Sequence, residues 1–192
     1  MDKPKTYNRQ ERMEIWIARH IHAKRPPRVM YNIGVGPKTE AKTLKRRYPK
    51  MKVFGVEPLL HEYPGMFHEF PGDILPIAIG KEAGMIDINY NPGNMLDASA
   101  TRRTPEQTAT KTVPVWTLDR FDEWHGKPKR VLLWMDIEGM ELEALQGATE
   151  LLRSHRVRWI NLEERRGRVA SWPAPEEIRE RLAGFGDARL PG

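Results

Sequence analysis

The chain has 192 residues, a formal net charge of +6, 39% hydrophobic and 30% charged residues, and no cysteine. That length suits one domain with a sizeable core, and the missing cysteines exclude disulfides and thiolate metal sites. No apolar stretch approaches the roughly 20 residues that span a bilayer, and the charged residues 1–12 do not form a secretory signal, so a cytoplasmic protein is expected.

Basic residues cluster at 19–28, 42–50, 127–130 and 153–168. Such a surface can meet nucleic acid or another anionic partner, and a solvated basic surface is the plainer alternative. No RNA-binding aromatic signature or zinc-finger spacing accompanies the charge.

The first predicted element is a helix. Asn8 can cap it, with Glu11 three positions on. Met13, Trp16, Ile17 and Ile21 then form one apolar stripe at helical spacing. Pro26 and Pro27 end it, because proline lacks the amide donor and clashes with the preceding turn. A strand over 28–33, a loop over 34–38, a helix over 39–48 and a strand over 52–57 follow. After a Pro/Gly-rich connection comes a strand over 74–79. This βαβ rhythm predicts a parallel sheet with helices on its faces.

The middle of the chain differs. A strand over 85–90 runs into the strong turn sequence Asn91-Pro92-Gly93-Asn94. The polar stretch 96–111 is long for a structureless connection and predicts a mobile lid or substrate loop. Its adjacent Arg102 and Arg103 could draw in an anionic acceptor or face solvent. A strand over 112–116 closes this region. The parallel pattern resumes with a strand over 131–135, a helix over 140–153, a strand over 157–162 and a helix over 175–183. One domain is expected, with a helical extension at 1–27, a core at 28–164 and a helix and tail at 165–192.

Three groups of residues carry chemistry. In the first, a strand runs into Gly34-Val35-Gly36 and then a helix. Glycine lets backbone approach a ligand closely, and a helix N-terminus offers free N–H groups. An ordinary tight βα turn is the competing reading. In the second, Val56-Glu57-Pro58 sets a carboxylate at a strand end, 23 positions after Gly34. At that spacing an acid can accept hydrogen bonds from ribose hydroxyls. In the third, residues 133–141 deliver Asp136 to the carboxyl edge of the sheet, where open α/β folds bind ligands. Asp136, Glu138 and Glu141 could be a metal cluster. The preferred reading for Glu138 and Glu141 is stabilisation of a helix N-terminus, because no histidine sits at ligand spacing. The six histidines, His61, His68 and His125 among them, read as loop or surface residues. Trp116 and Trp134 read as core aromatics.

With these residues in view, the chain resembles the FkbM-type S-adenosylmethionine-dependent methyltransferases over residues 29–164. The most specific part is the run Asp-Ile-Glu-Gly-Met-Glu-Leu-Glu-Ala-Leu-Gln-Gly-Ala from Asp136 to Ala148. Val56-Glu57-Pro58, Ala78-Ile79-Gly80, Trp116-Thr117-Leu118-Asp119 and Asn161-Leu162-Glu163 support it in the same order. The resemblance implies a Rossmann-like methyltransferase fold: α/β, a mostly parallel sheet with helices on both faces, shortened at the C-terminus. It implies S-adenosylmethionine as cofactor and no metal. By similarity, Gly34, Val35 and Gly36 approach the methionine and ribose portion, Glu57 and Pro58 hold the ribose, and Ala78 and Ile79 flank the adenine. Asp136 would lie near the methyl group and accept or orient a hydroxyl proton, with Glu138 and Glu163 orienting the acceptor. The family usually carries Asp where this chain has Asn32, and a further glycine near Lys38. Asn32 is therefore a cofactor contact expected to be weakened. The implied reaction is O-methylation of a hydroxyl on a sugar or small metabolite. The alternatives are methylation of nucleic acid through the basic surface and a catalytically silent binding module of the same fold.

Overall fold

The computed structural model describes residues 9–21, 24–36, 40–63, 65–162 and 175–184. Asn8, the expected helix cap, lies outside them. Helix α1 (Arg9–His20) leads through the two prolines to strand β1 (Val29–Ile33), helix α2 (Ala41–Arg47), and strands β2 (Lys52–Val56) and β3 (Asp73–Leu75). Strand β4 (Ala78–Ile79), the hairpin β5 (Gly84–Asn91) and β6 (Asn94–Ser99), and strand β7 (Ala109–Trp116) form the middle. Helix α3 (Leu118–Trp124), strand β8 (Val131–Met135), helices α4 (Glu141–Gln146) and α5 (Thr149–Arg153), strand β9 (Val157–Leu162) and helix α6 (Pro175–Ala183) complete it.

The main sheet runs β3-β2-β1-β8-β9, and every neighbouring pair is parallel. Parallel strands covered on both faces need apolar side chains in both directions, and all five residues of β1 are buried. Alternation splits them between two cores. Tyr31, Ile33, Leu133 and Met135 face α3, α4, α5 and α6. Met30 and Leu132 face the α1 stripe Met13, Ile17 and Ile21, and Ala41 and Leu44 of α2. Successive strands leave β1 in opposite directions, towards β2 on one side and β8 on the other. The crevice at that reversal is where ligands bind in such sheets. Among the described residues no helix is long and apolar enough to cross a membrane.

Three expectations need correction. The strand expected over 74–79 is two strands in two sheets. Pro76 cannot donate to a ladder, Ile77 N turns back onto Leu75 O (3.0 Å), and the chain crosses to a second sheet of order β4-β7-β5-β6. The segment expected as a mobile loop over 96–111 is strand at both ends, in β6 up to Ser99 and in β7 from Ala109, and residues 100–108 connect the two. Its polar composition reflects a half-covered sheet: Val113 and Val115 are buried while Thr112 and Pro114 are exposed. The outward polar groups pair across strands, Thr110 with Asn89 (3.0 Å) and Thr112 with Asp87 (2.5 Å). The helix expected over 140–153 breaks at Gly147. There a side chain would meet Gly80 O at 2.3 Å, and the Asp119 carboxylate caps α5 by accepting from the amides of Glu150 (3.0 Å) and Leu151 (2.8 Å).

Helix α3 was not expected as a helix. Thr117 Oγ1 caps it by accepting from Arg120 N (3.1 Å). It delivers Asp122, 2% exposed, to a polar junction under the sheet. Tyr31 Oη donates to Asp122 (2.9 Å), and Arg156 grips both carboxylate oxygens.

Candidate functional site

A cleft opens at the carboxyl ends of β1, β2 and β8. The main sheet supplies Gly34, Val35 and Gly36, then Glu57 with Pro58 and Leu59, then Asp136, Ile137 and Glu138. Ala78 and Ile79 line the cleft from β4, an edge strand of the second sheet. The second sheet forms the facing wall with Ile86, Ile88, Ala98, Ser99 and Ala100.

The glycine turn works in two parts. Gly34 has φ +82°, and a side chain there would lie 1.9 Å from Asp136 O. Its missing side chain is therefore required by contact between the β1 and β8 loops. Gly34 N and Val35 N both donate to Val56 O (2.9 and 3.1 Å), which ties the turn to β2 as well. Around Gly36, by contrast, a side chain would meet nothing within 4 Å. Close approach of a ligand to backbone is open at Gly36 rather than at Gly34.

Glu57 sits at the end of β2, 8% exposed. Its Oε1 accepts from Leu59 N (2.9 Å). Burial pushes the carboxyl up to about 7, against the lowering effect of the Leu59 and Val35 amides. A buried acceptor of this kind gains from hydroxyl donors brought by a ligand.

The third segment begins where Asp136 N donates to Ile33 O (2.9 Å). Glu138 then adopts φ +55°, a conformation that costs a non-glycine residue about 1–3 kcal/mol. Three hydrogen bonds hold it. Glu141 Oε1 accepts from Ile137 N (3.0 Å), Glu141 Oε2 accepts from Gly139 N (3.1 Å), and Thr101 Oγ1 donates to Glu138 O (3.4 Å). Glu141 is fully buried, and burial raises its carboxyl above the usual range. It braces the turn at the start of α4, which is the helix-end role preferred from sequence. Among the described residues no three His, Asp or Glu side chains are grouped to hold a metal ion.

Gly34, Val35, Gly36, Glu57, Pro58, Ala78, Ile79, Asp136 and Glu138 thus meet at one cleft. Asn32 is not among its lining residues; it is buried within β1, 2% exposed. Glu163 and Lys38 lie outside the described residues. His61 and His68 are exposed, and His125 lies in the turn after α3. Its ring stacks on Phe54 at 3.8 Å and is half-buried, which lowers its tendency to protonate. Trp116 and Trp134 pack against the two cores. Arg103 is exposed and Arg102 half-buried, its backbone N donating to Ser99 Oγ (3.2 Å).

Sequence reasoning missed the facing wall. The alternation Ile86-x-Ile88-x-Tyr90 signals a strand with one covered face, yet nothing local shows that this face turns towards Glu57. Ser99, buried and hydrogen-bonded to Thr101 Oγ1 (3.2 Å), lay inside the expected mobile loop.

A curated protein of Haloferax volcanii, hexuronic acid methyltransferase AglP, is 30% identical over 84 residues, 44% of this chain and 34% of its own length. A crystal structure of methyltransferase FkbM from Methylobacillus flagellatus KT is similar with a TM-score of 0.43 and 16% identity, over 69% of this chain and 32% of that one. The chain thus spans about a third of the length of these relatives. Residues 28–188 match the Methyltransferase FkbM domain, a stretch holding all three segments of the cleft and most of the chain, and the chain belongs to that family.

Proposed function

We propose that this methyltransferase uses S-adenosylmethionine and methylates a hydroxyl on a sugar or small metabolite, an acidic sugar first among them. The observation that carries the reading is the meeting of an open glycine, a buried ribose-type acid and a second carboxylate in one cleft. The residues fit the cofactor chemically. Gly36 leaves room for a chain to lie against backbone, Glu57 is a buried acceptor for vicinal hydroxyls, and Ala78 with Ile79 offers an apolar flank to a planar base. The acceptor class is supported by the Haloferax volcanii relative, whose name specifies a hexuronic acid.

When bound, S-adenosylmethionine supplies a methyl group on a positively charged sulfur. In-line displacement needs mainly alignment of donor and acceptor and exclusion of water. Asp136, half-buried at the end of β8, favours a positive charge beside it and can take the hydroxyl proton as the new oxygen–carbon bond forms. The strained, braced turn at Glu138 holds a second carboxylate in a fixed place to orient the acceptor. The apolar second sheet keeps water from the opposite wall.

Calorimetric titration with S-adenosylmethionine tests the reading. Binding is expected, and Glu57→Ala should weaken it by about 1.5–3 kcal/mol, the loss typical of one charge-assisted partner. No heat and no thermal shift with millimolar cofactor would overturn it and favour a silent binding module. With binding established, release of S-adenosylhomocysteine in the presence of hexuronides, but not of neutral hexosides, is the expected acceptor pattern.

A further inference from the structure

The amino-terminal edge of the main sheet carries a second concave surface. The segments before β1, β2 and β8 enclose an open groove of about 560 Å³. Arg28, Lys50, Lys52, Lys129 and Arg130 line it, and no acidic residue does. Among the described residues none of these five cations has an ion-pair partner. Three of the four basic clusters seen in the sequence therefore converge on one place, although they lie up to a hundred residues apart in the chain.

Backbone pairing fixes the spacing of the central three. Lys52 N donates to Arg28 O (2.9 Å), and Arg28 N donates to Arg130 O (3.0 Å). Arg28 and Arg130 thus stand together just before two adjacent strands begin, and Lys52, opposite Val29 in the register, stands one position further along the neighbouring strand, at roughly the 4.8 Å strand separation. Like charges so placed repel, and an anion from outside offsets that repulsion. The loop that delivers Lys129 and Arg130 is itself strained, with positive φ at Lys127 (51°) and Arg130 (58°).

Two features select the kind of anion. Tyr48 lines the same groove and adds an aromatic surface beside the cations, the combination that single-stranded nucleic acid uses. The large exposed apolar residues of the described chain, Met66, Met85 and Trp124, are absent from the groove, so it offers nothing to insert into a bilayer. Strands of five residues at about 3.3 Å per residue separate this edge from the cleft by about 17 Å. What binds here does not occupy the methyl-transfer site.

We propose that the groove binds single-stranded nucleic acid, with phosphates among Arg28, Lys52 and Arg130 and a base on Tyr48. The bound strand is a partner and not the methyl acceptor. This inference stands apart from the proposed cofactor and acceptor.

The test is fluorescence anisotropy with a labelled 12-nucleotide oligouridylate in 50 and 200 mM KCl. With three to five phosphate contacts, affinity should fall roughly 20- to 100-fold between the two salts. The triple variant Arg28→Glu/Lys52→Glu/Arg130→Glu should lose at least about a hundredfold in affinity at 50 mM KCl while its melting temperature stays at the wild-type value. Tyr48→Ala should lose about tenfold. Because Tyr48 also packs on the core, competition by inorganic polyphosphate checks the stacking without a variant: it should displace the oligonucleotide only at a large excess of phosphate. Failure of the wild type to bind at 50 mM KCl would overturn the proposal. So would unchanged binding by the triple variant, polyphosphate competing equally per phosphate, or capture by phosphatidylserine vesicles with none by the oligonucleotide.

Discussion

Replacing Glu57 with Gln removes a charge from a buried site and keeps its shape. Glu57 is 8% exposed, and burial raises its carboxyl from 4.5 to about 7. The folded protein therefore holds this proton more tightly than the unfolded chain. Its contribution to stability is fully present below pH 4.5 and is lost as pH rises through about 7. At pH 8 the ionised carboxylate costs the fold about 3 kcal/mol relative to pH 4.5. Glutamine keeps an oxygen for the Leu59 amide and carries no such cost. Between pH 5 and pH 8 the cost is about 2.5 kcal/mol, so melting curves over that range should show the wild type losing roughly 5–10 °C more than Glu57→Gln, at the 2–4 °C per kcal/mol expected for a chain of this size. Saturating S-adenosylmethionine should reverse much of that difference at pH 8, because ribose hydroxyls solvate the carboxylate. Cofactor affinity should rise with pH through about 7 in the wild type and stay flat in the variant. Parallel melting curves for the two proteins would refute the claim that Glu57 is costly to ionise.

Other perturbations separate packing from chemistry. Gly34→Ala combines a left-handed φ with a 1.9 Å collision against Asp136 O, so urea titration should show a loss of about 2–5 kcal/mol; a loss under about 0.5 kcal/mol would mean the two loops do not touch. Asp122→Ala strands the Arg156 guanidinium, 17% exposed, and the Tyr31 hydroxyl, and should cost about 3–5 kcal/mol; a midpoint equal to wild type would show the pair to be dispensable. Asp136→Asn should slow methyl transfer about 10²- to 10⁴-fold with little change in the cofactor dissociation constant; equal losses in both would make it a binding group rather than a proton acceptor.

The elements of the main sheet were legible because their causes are local. Continuous apolar runs at β1 and β8, the βαβ rhythm and the stripe of α1 each follow from spacing along the chain. Glu57 and Asp136 were legible for the same reason, since a strand end is a local event that puts a carboxylate on the binding edge. What the chain could not reveal locally was decided by contact between distant parts. Pro76 diverts the chain into a second sheet, and only the packing of that sheet against the cleft makes Ile88 and Ser99 part of the site. Gly34 reads as a ligand turn, yet its lack of a side chain is required by Asp136 O, a hundred residues on. Asn32 reads as a cofactor contact, and only the tertiary structure shows it buried within β1 and not among the residues lining the cleft. Likewise, the basic clusters are visible as composition, and only the pairing of β1 with β2 and β8 brings Lys52, Arg28 and Arg130 to one edge of the sheet. Local pattern determined which segments are strands and helices, because propensity and periodicity act over a few residues. Tertiary packing decided which faces meet, because that depends on close contacts between segments far apart in the chain.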